Sequence, residues 1–135
     1  MATVQQFEDL HVWQDARRLV REIYQVTKQR AFRRDFGLRD QITRAVTSTM
    51  SNIAEGFERG TRKEFIRFLN MAKGSNGEVR SQLYIALDQE YIDQTKFDEI
   101  RQSVLELSRR LAKFIGYLET YPKNSRIRNI ERTGK

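Results

Sequence analysis

Residues 48–68 read Ser48-Thr-Met-Ser-Asn-Ile-Ala-Glu-Gly-Phe-Glu-Arg-Gly60-Thr-Arg-Lys-Glu-Phe-Ile-Arg-Phe68. The stretch closes one amphipathic helix, turns, and opens another. Upstream, Leu38, Ile42, Ala45, Val46, Thr49, Ile53 and Phe57 recur every three to four residues, the period of a helix with one apolar face. Gly60 offers a left-handed cap after Arg59. Thr61 followed by Glu64 has the pattern of a capping box, in which each side chain satisfies a backbone donor of the next helix. So few linking residues predict an antiparallel hairpin of two long helices.

The same period extends in both directions. A first helix is expected from about Asp9 to Arg30, with Leu10, Trp13, Ala16, Val20, Ile23 and Thr27 in one stripe and Val12, Leu19 and Val26 beside it. Residues 31–37 read as a charged loop with Phe32 and Phe36 tucked inward. The second and third helices are expected over residues 38–59 and 62–90. Thr95 with Asp98 should start a fourth, carried by Phe97, Ile100, Val104, Leu107, Leu111, Phe114 and Leu118 until Pro122 stops it. Four helices with short links predict an all-α, antiparallel up-down-up-down four-helix bundle over residues 9–121. Residues 1–8 should fray, and residues 122–135 read as a mobile basic tail.

Within the third helix, Gly74-Ser-Asn-Gly77 costs about 1 kcal/mol per glycine relative to alanine. Close approach of a neighbouring helix is the expected return. A hinge or a phosphate cradle are the alternatives, the latter weakened by the lack of a preceding strand or a following Gly-Lys-Ser.

Composition narrows the function. At 135 residues the chain is one domain with room for a core. It has no cysteine, so disulfides, thiolate catalysis and cysteine-ligated zinc are excluded. No apolar run reaches membrane-spanning length, no secretory leader is evident, and a cytoplasmic protein is expected. The single histidine, in Glu8-Asp-Leu-His11, supplies only one of the two Glu-x-x-His motifs that a di-iron bundle needs. A catalytic triad would have to use that same residue, and nucleotide-binding glycine motifs are missing. No metal, no cofactor and no catalytic residue are therefore expected.

Charge points elsewhere. There are 25 basic and 18 acidic residues, a formal charge of +7, and 18 of the cations are arginine. Arginine's planar fork matches phosphate oxygens better than lysine's ammonium does, so a nucleic acid or other polyanion is the leading partner. A solvated arginine-rich surface is the plain alternative. The cations gather as Arg30, Arg33, Arg34 and Arg39; as Arg59, Arg62, Lys63 and Arg67; and as Arg109, Arg110 and Lys113. In an up-down-up-down bundle the second loop shares an end with both termini. Arg59, Arg62, Lys63 and Arg67 should thus adjoin Lys123, Arg126, Arg128 and Arg132 of the tail as the best phosphate-binding patch.

A polar strip lies on the second helix. Asn52, Glu55 and Arg59 share a face, with Glu55 and Arg59 spaced for an ion pair. Ser48 and Ser51 extend the strip, and Ser75 with Glu78 could meet it from the third helix. A polar network between helices or subunits is the first reading, and an RNA or peptide site the second. The width of the first helix's apolar face, with Trp13 and its valine and leucine rows, predicts that the chain is not a monomer.

Several of these residues carry a resemblance. Asn52-Ile-Ala-Glu-Gly56-Phe57, then Arg59, Glu64, Phe65, Phe68-Leu69, Ala72, Gly74-Ser75, Glu78 and Leu83, resemble the four-helix bundle proteins encoded within intervening sequences of bacterial 23S ribosomal RNA genes. The opening Phe7-Glu-Asp-Leu-His-Val-Trp13-Gln-Asp-Ala16 matches as well, and the resemblance spans roughly residues 7–119. Met50 departs from it, standing where the family often has proline, so a kink found in relatives is not expected here. That family is similar to the accessory proteins of diversity-generating retroelements. The similarity implies a closed homopentameric ring, with RNA or DNA and a reverse transcriptase as possible partners. The alternative function is a protein–protein interaction module with no nucleic-acid ligand.

Overall fold

Gly60 takes the left-handed backbone that the hairpin requires, with φ of 86°, and the two helices on either side of it form the spine of the molecule. In this computed structural model, residues 3–122, 124–127 and 130 are described. They are all-helical: a 3-10 turn (Phe7–Asp9), α1 (His11–Thr27), α2 (Arg30–Arg34), α3 (Phe36–Glu58), α4 (Arg62–Asp88) and α5 (Gln94–Leu118). Three side chains set the helix starts by accepting a backbone N–H three residues on. Asp35 takes Leu38 N at 3.0 Å, Thr61 takes Glu64 N at 3.3 Å and Asp93 takes Lys96 N at 2.8 Å. The last is a correction: α5 is capped by Asp93, not by Thr95, because Asp93 has the extended backbone that a cap needs.

α4 runs back along α3. Phe57 meets Phe65 edge-on at 5.8 Å, and Ser48 shares a hydrogen bond with Ser75 at 3.1 Å, so the paired residues separate steadily from the turn. Gly56 makes the close packing possible. A Cβ there would lie 2.6 Å from Phe68 Cβ and 3.1 Å from Phe65 Cδ1, inside any normal carbon–carbon contact. At the glycines expected to permit such an approach, Gly74 and Gly77, a Cβ would meet no neighbouring element within 4 Å among the described residues. The chain's own helices do not press on them, because they lie on the outer side of α4.

α5 packs against α4 and α1, and α1 also packs against α3. The aliphatic core between them includes Ala16, Ile23, Ile42, Ile53, Leu83 and Leu111, all fully buried. Burial of this kind is worth about 1.5–3 kcal/mol for each large side chain. α3 continues without a break through Met50.

The first loop is more structured than expected, since Arg30–Arg34 forms α2. Phe32 is buried and stacks with Tyr91 at 5.3 Å. Phe36 is not tucked in but 64% exposed, with the Arg39 guanidinium 4.9 Å from its ring. As the first residue of α3, it falls on the outer side of the helix.

Both chain ends depart from expectation. Val4, placed by its sequence in a fraying segment, is buried and donates its N–H to Ile130 O at 2.7 Å. Ile130 is itself buried in the core. Residues 125–127 return across the hairpin turn: Arg62 N donates to Ser125 O at 3.0 Å, and Ile127 N donates to Gly60 O at 3.0 Å. Apolar Val4, Ile127 and Ile130 explain this attachment, because each removes surface from water.

The apolar width of α1 also has an internal use. Val12, Leu19 and Val26 are buried with the main stripe. Trp13 is half-buried against Phe7 at 5.2 Å. Among the described residues, much of this apolar face is therefore covered within the chain itself.

Candidate nucleic-acid interface

The α3–α4 turn and the returning chain bring most of the predicted cationic residues to one end. Arg59 is the last-turn neighbour of Gly60, Lys63 and Arg67 lie on the first turns of α4, and Arg126 pairs in an isolated antiparallel bridge with Thr61. All four are exposed. Lys123, Arg128 and Arg132 lie outside the described residues.

Two of the four cations are partly neutralised. Arg59 donates to Glu55 at 3.0 Å and Arg67 to Glu64 at 3.3 Å, pairs worth only about 0.2–0.5 kcal/mol on a helix surface. Both guanidiniums also stand over Phe68, at 4.9 and 4.8 Å from its ring, which fixes their carbon stems. Lys63 and Arg126 make no ion pair among the described residues.

Arg62 departs most from its predicted role. It is 3% exposed, and its Nε and Nη1 have no hydrogen-bond partner among the described residues. Its guanidinium lies 3.8 Å from the centroid of the Tyr121 ring. A buried cation without donors satisfied is costly, and a desolvated cation–π contact offsets about 2 kcal/mol of that. Arg62 is thus a prop beneath Tyr121 and the returning chain, not an arm reaching for phosphate. Tyr121 was missed by sequence reasoning, since its position before Pro122 marks only a helix end.

Beside this prop lies a groove of about 500 Å³ lined by Lys63, Ile66, Arg67, Glu119 and Tyr121. Tyr117 meets the Tyr121 ring edge-on at 5.6 Å.

The predicted polar strip is a network between helices of one chain. Asn52 Nδ2 donates to Ser48 Oγ at 3.0 Å, and Ser48 shares its hydrogen bond with Ser75 on α4. Glu55 turns outward to Arg59, and Glu78 lines a shallow surface hollow with Gln41, Arg44 and Ser75. Another polar residue, Asn76, stood in the sequence only as part of the Gly74-Ser-Asn-Gly77 stretch. It is fully buried and donates from Nδ2 to Val104 O and Ser108 Oγ, both at 2.8 Å. Because a carbonyl can only accept, the amide nitrogen must face it.

On the opposite side, Asp15 joins Arg18 of α1 to Arg110 of α5. The Asp15 hydrogen bond raises the Arg110 pKa further. Burial raises the Glu22 carboxyl pKa above its ordinary value, although a Ser103 hydrogen bond and Lys96 act against it. Among the described residues no group of three or more His, Asp or Glu side chains could hold a metal ion. No described helix is long and apolar enough to cross a membrane.

Fold and site together define an all-helical protein with a cationic end built on a helical hairpin. The chain belongs to the 23S rRNA-intervening sequence protein family, whose sequence profile matches residues 8–113. In structure it is similar to a protein of the S23 ribosomal protein family from Bacteroides thetaiotaomicron. That likeness has a TM-score of 0.72 and 26% identity, and covers 77% of this chain and 97% of the other. No curated protein gives a significant match in sequence. The family match ends before Tyr121 and Arg126.

Proposed function

We propose that the protein is a non-catalytic, oligomeric nucleic-acid-binding accessory or assembly protein of the cytoplasm, with RNA as the first ligand to consider. The observation that carries this reading is the gathering of exposed Arg59, Lys63, Arg67 and Arg126 at one end, in a chain of net charge +7. Each phosphate neutralised by such a residue releases condensed counterions, so affinity should fall with salt. Three or four contacts per subunit give a log–log slope of roughly −2 to −4, steeper if several subunits grip one strand.

The expected result is salt-sensitive retention on RNA, and a flatter slope when Lys63, Arg67 and Arg126 are changed together to glutamine. These substitutions probe charge more cleanly than removal of residues 123–135, which would also strip Ile130 from the core. No retention on RNA, DNA or heparin at about 50 mM salt would overturn the nucleic-acid reading. A protein–protein interaction module would then be the better account.

The subunit works as an antiparallel four-helix bundle within a closed ring, a homopentamer by resemblance to the retroelement accessory proteins. A reverse transcriptase is a candidate partner on the same ground. The outer side of α4 supports assembly: Met71 and Ile85 are about half exposed there, and Gly74 and Gly77 leave room for close approach. This side replaces the α1 face as the reason to expect self-association. Light scattering at micromolar concentration should report a multiple of the 16.1 kDa chain mass. A mass equal to one chain would remove the ring.

A further inference from the structure

We infer that the groove between the start of α4 and the chain leaving α5 seats one unstacked nucleobase on Tyr121, while Lys63 and Arg67 hold the adjoining phosphates. The inference rests on the nucleic-acid reading above and names what that reading lacks, a reason to select single strands.

The ring is prepared for stacking. One face is closed by the buried Arg62 guanidinium at 3.8 Å, and Tyr117 abuts it at 71°. The residue is nevertheless 41% exposed and lines the groove, so part of its surface is accessible to a ligand there. A ring already held by two neighbours loses little freedom on binding. Arg62 also draws π density from the ring, which lessens repulsion toward the π cloud of a stacked base.

The charges divide the groove. Lys63 and Arg67 make one wall attractive to phosphate, whereas Glu119 beside Tyr121 repels it. A carboxylate instead accepts from exocyclic amino groups, such as cytosine N4. A site for phosphate alone would gain nothing from an aromatic surface flanked by an acid. Base stacking on aromatic residues inside a basic groove is the general means of holding single strands. A paired base in a duplex is stacked on both faces and cannot use the seat.

The test compares a short oligocytidine with a duplex of equal length at several salt concentrations. Tyr121→Leu keeps apolar cover over Arg62 but removes the π face, and circular dichroism melting confirms that it folds. It should bind the single strand about 5- to 150-fold more weakly, at an unchanged salt slope and unchanged duplex affinity. Tyr121→Phe should stay within about twofold of the parent, because a phenyl face also stacks. If the parent binds with salt sensitivity and Tyr121→Leu binds the single strand equally well, the base seat is refuted and the polyanion reading survives. Equal weakening toward both ligands also refutes it, since the ring would then be only structural. If the parent binds neither ligand, both readings fall together.

Discussion

Phe65→Ala should destabilise the folded subunit by about 3–5 kcal/mol, the usual cost of truncating a fully buried phenylalanine. Phe65 is completely buried and meets Phe57 of α3 and Phe114 of α5 edge-on, at 5.8 and 5.5 Å. One ring on α4 therefore ties three helices together, and each aromatic pair adds about 0.5–1.5 kcal/mol beyond area burial. The site cannot collapse easily, because Gly56 already brings α3 against Phe65 and Phe68. Against a total of about 5–15 kcal/mol for a typical domain, such a loss is large. Urea titration should show a lower midpoint with an unchanged slope. A loss under about 1.5 kcal/mol would mean that the helices close over the gap, contrary to the packing at Gly56.

Asn76→Asp should cost about 3–5 kcal/mol at pH 7, the range for an uncompensated buried charge. The change puts a carboxylate oxygen where an amide nitrogen now donates to Val104 O, so two acceptors face each other at 2.8 Å. Burial and that repulsion would raise the new carboxyl's folded pKa above its ordinary value of about 3.9. The penalty is therefore full above the folded pKa and shrinks as pH falls through it, since the protonated acid can donate again. Thermal melts of parent and variant should diverge at pH 7 and draw together toward pH 4. Equal melting at pH 7 would show that Asn76 is not enclosed between α4 and α5.

Much of the fold was legible because its signals are local. Gly60, Thr61, the Glu55–Arg59 pair and the three-to-four-residue repeat each act within one or two helical turns. Thr95 misled for a related reason. Asp93 and Thr95 both have capping chemistry, and the choice between them depends on where Ile92 is drawn into the core. In the candidate site, the nearness of Arg126 to the hairpin followed from topology alone. The inward turn of Arg62 did not, because adjacent Lys63 is exposed and nothing in the local sequence separates the two.

By itself the sequence determined the helical periods, the hairpin turn, the absence of thiol chemistry and the excess of positive charge. These depend on backbone propensity, spacing and composition, which neighbours in the chain decide. Only the tertiary structure decided that Gly56 rather than Gly74 takes the close approach, that Val4 and Ile130 fasten the two ends, and that Arg62 lies beneath Tyr121. Each of these joins residues far apart in the chain. Periodicity places a residue on a face, but the packing of several faces at once settles which atoms on it lose their water.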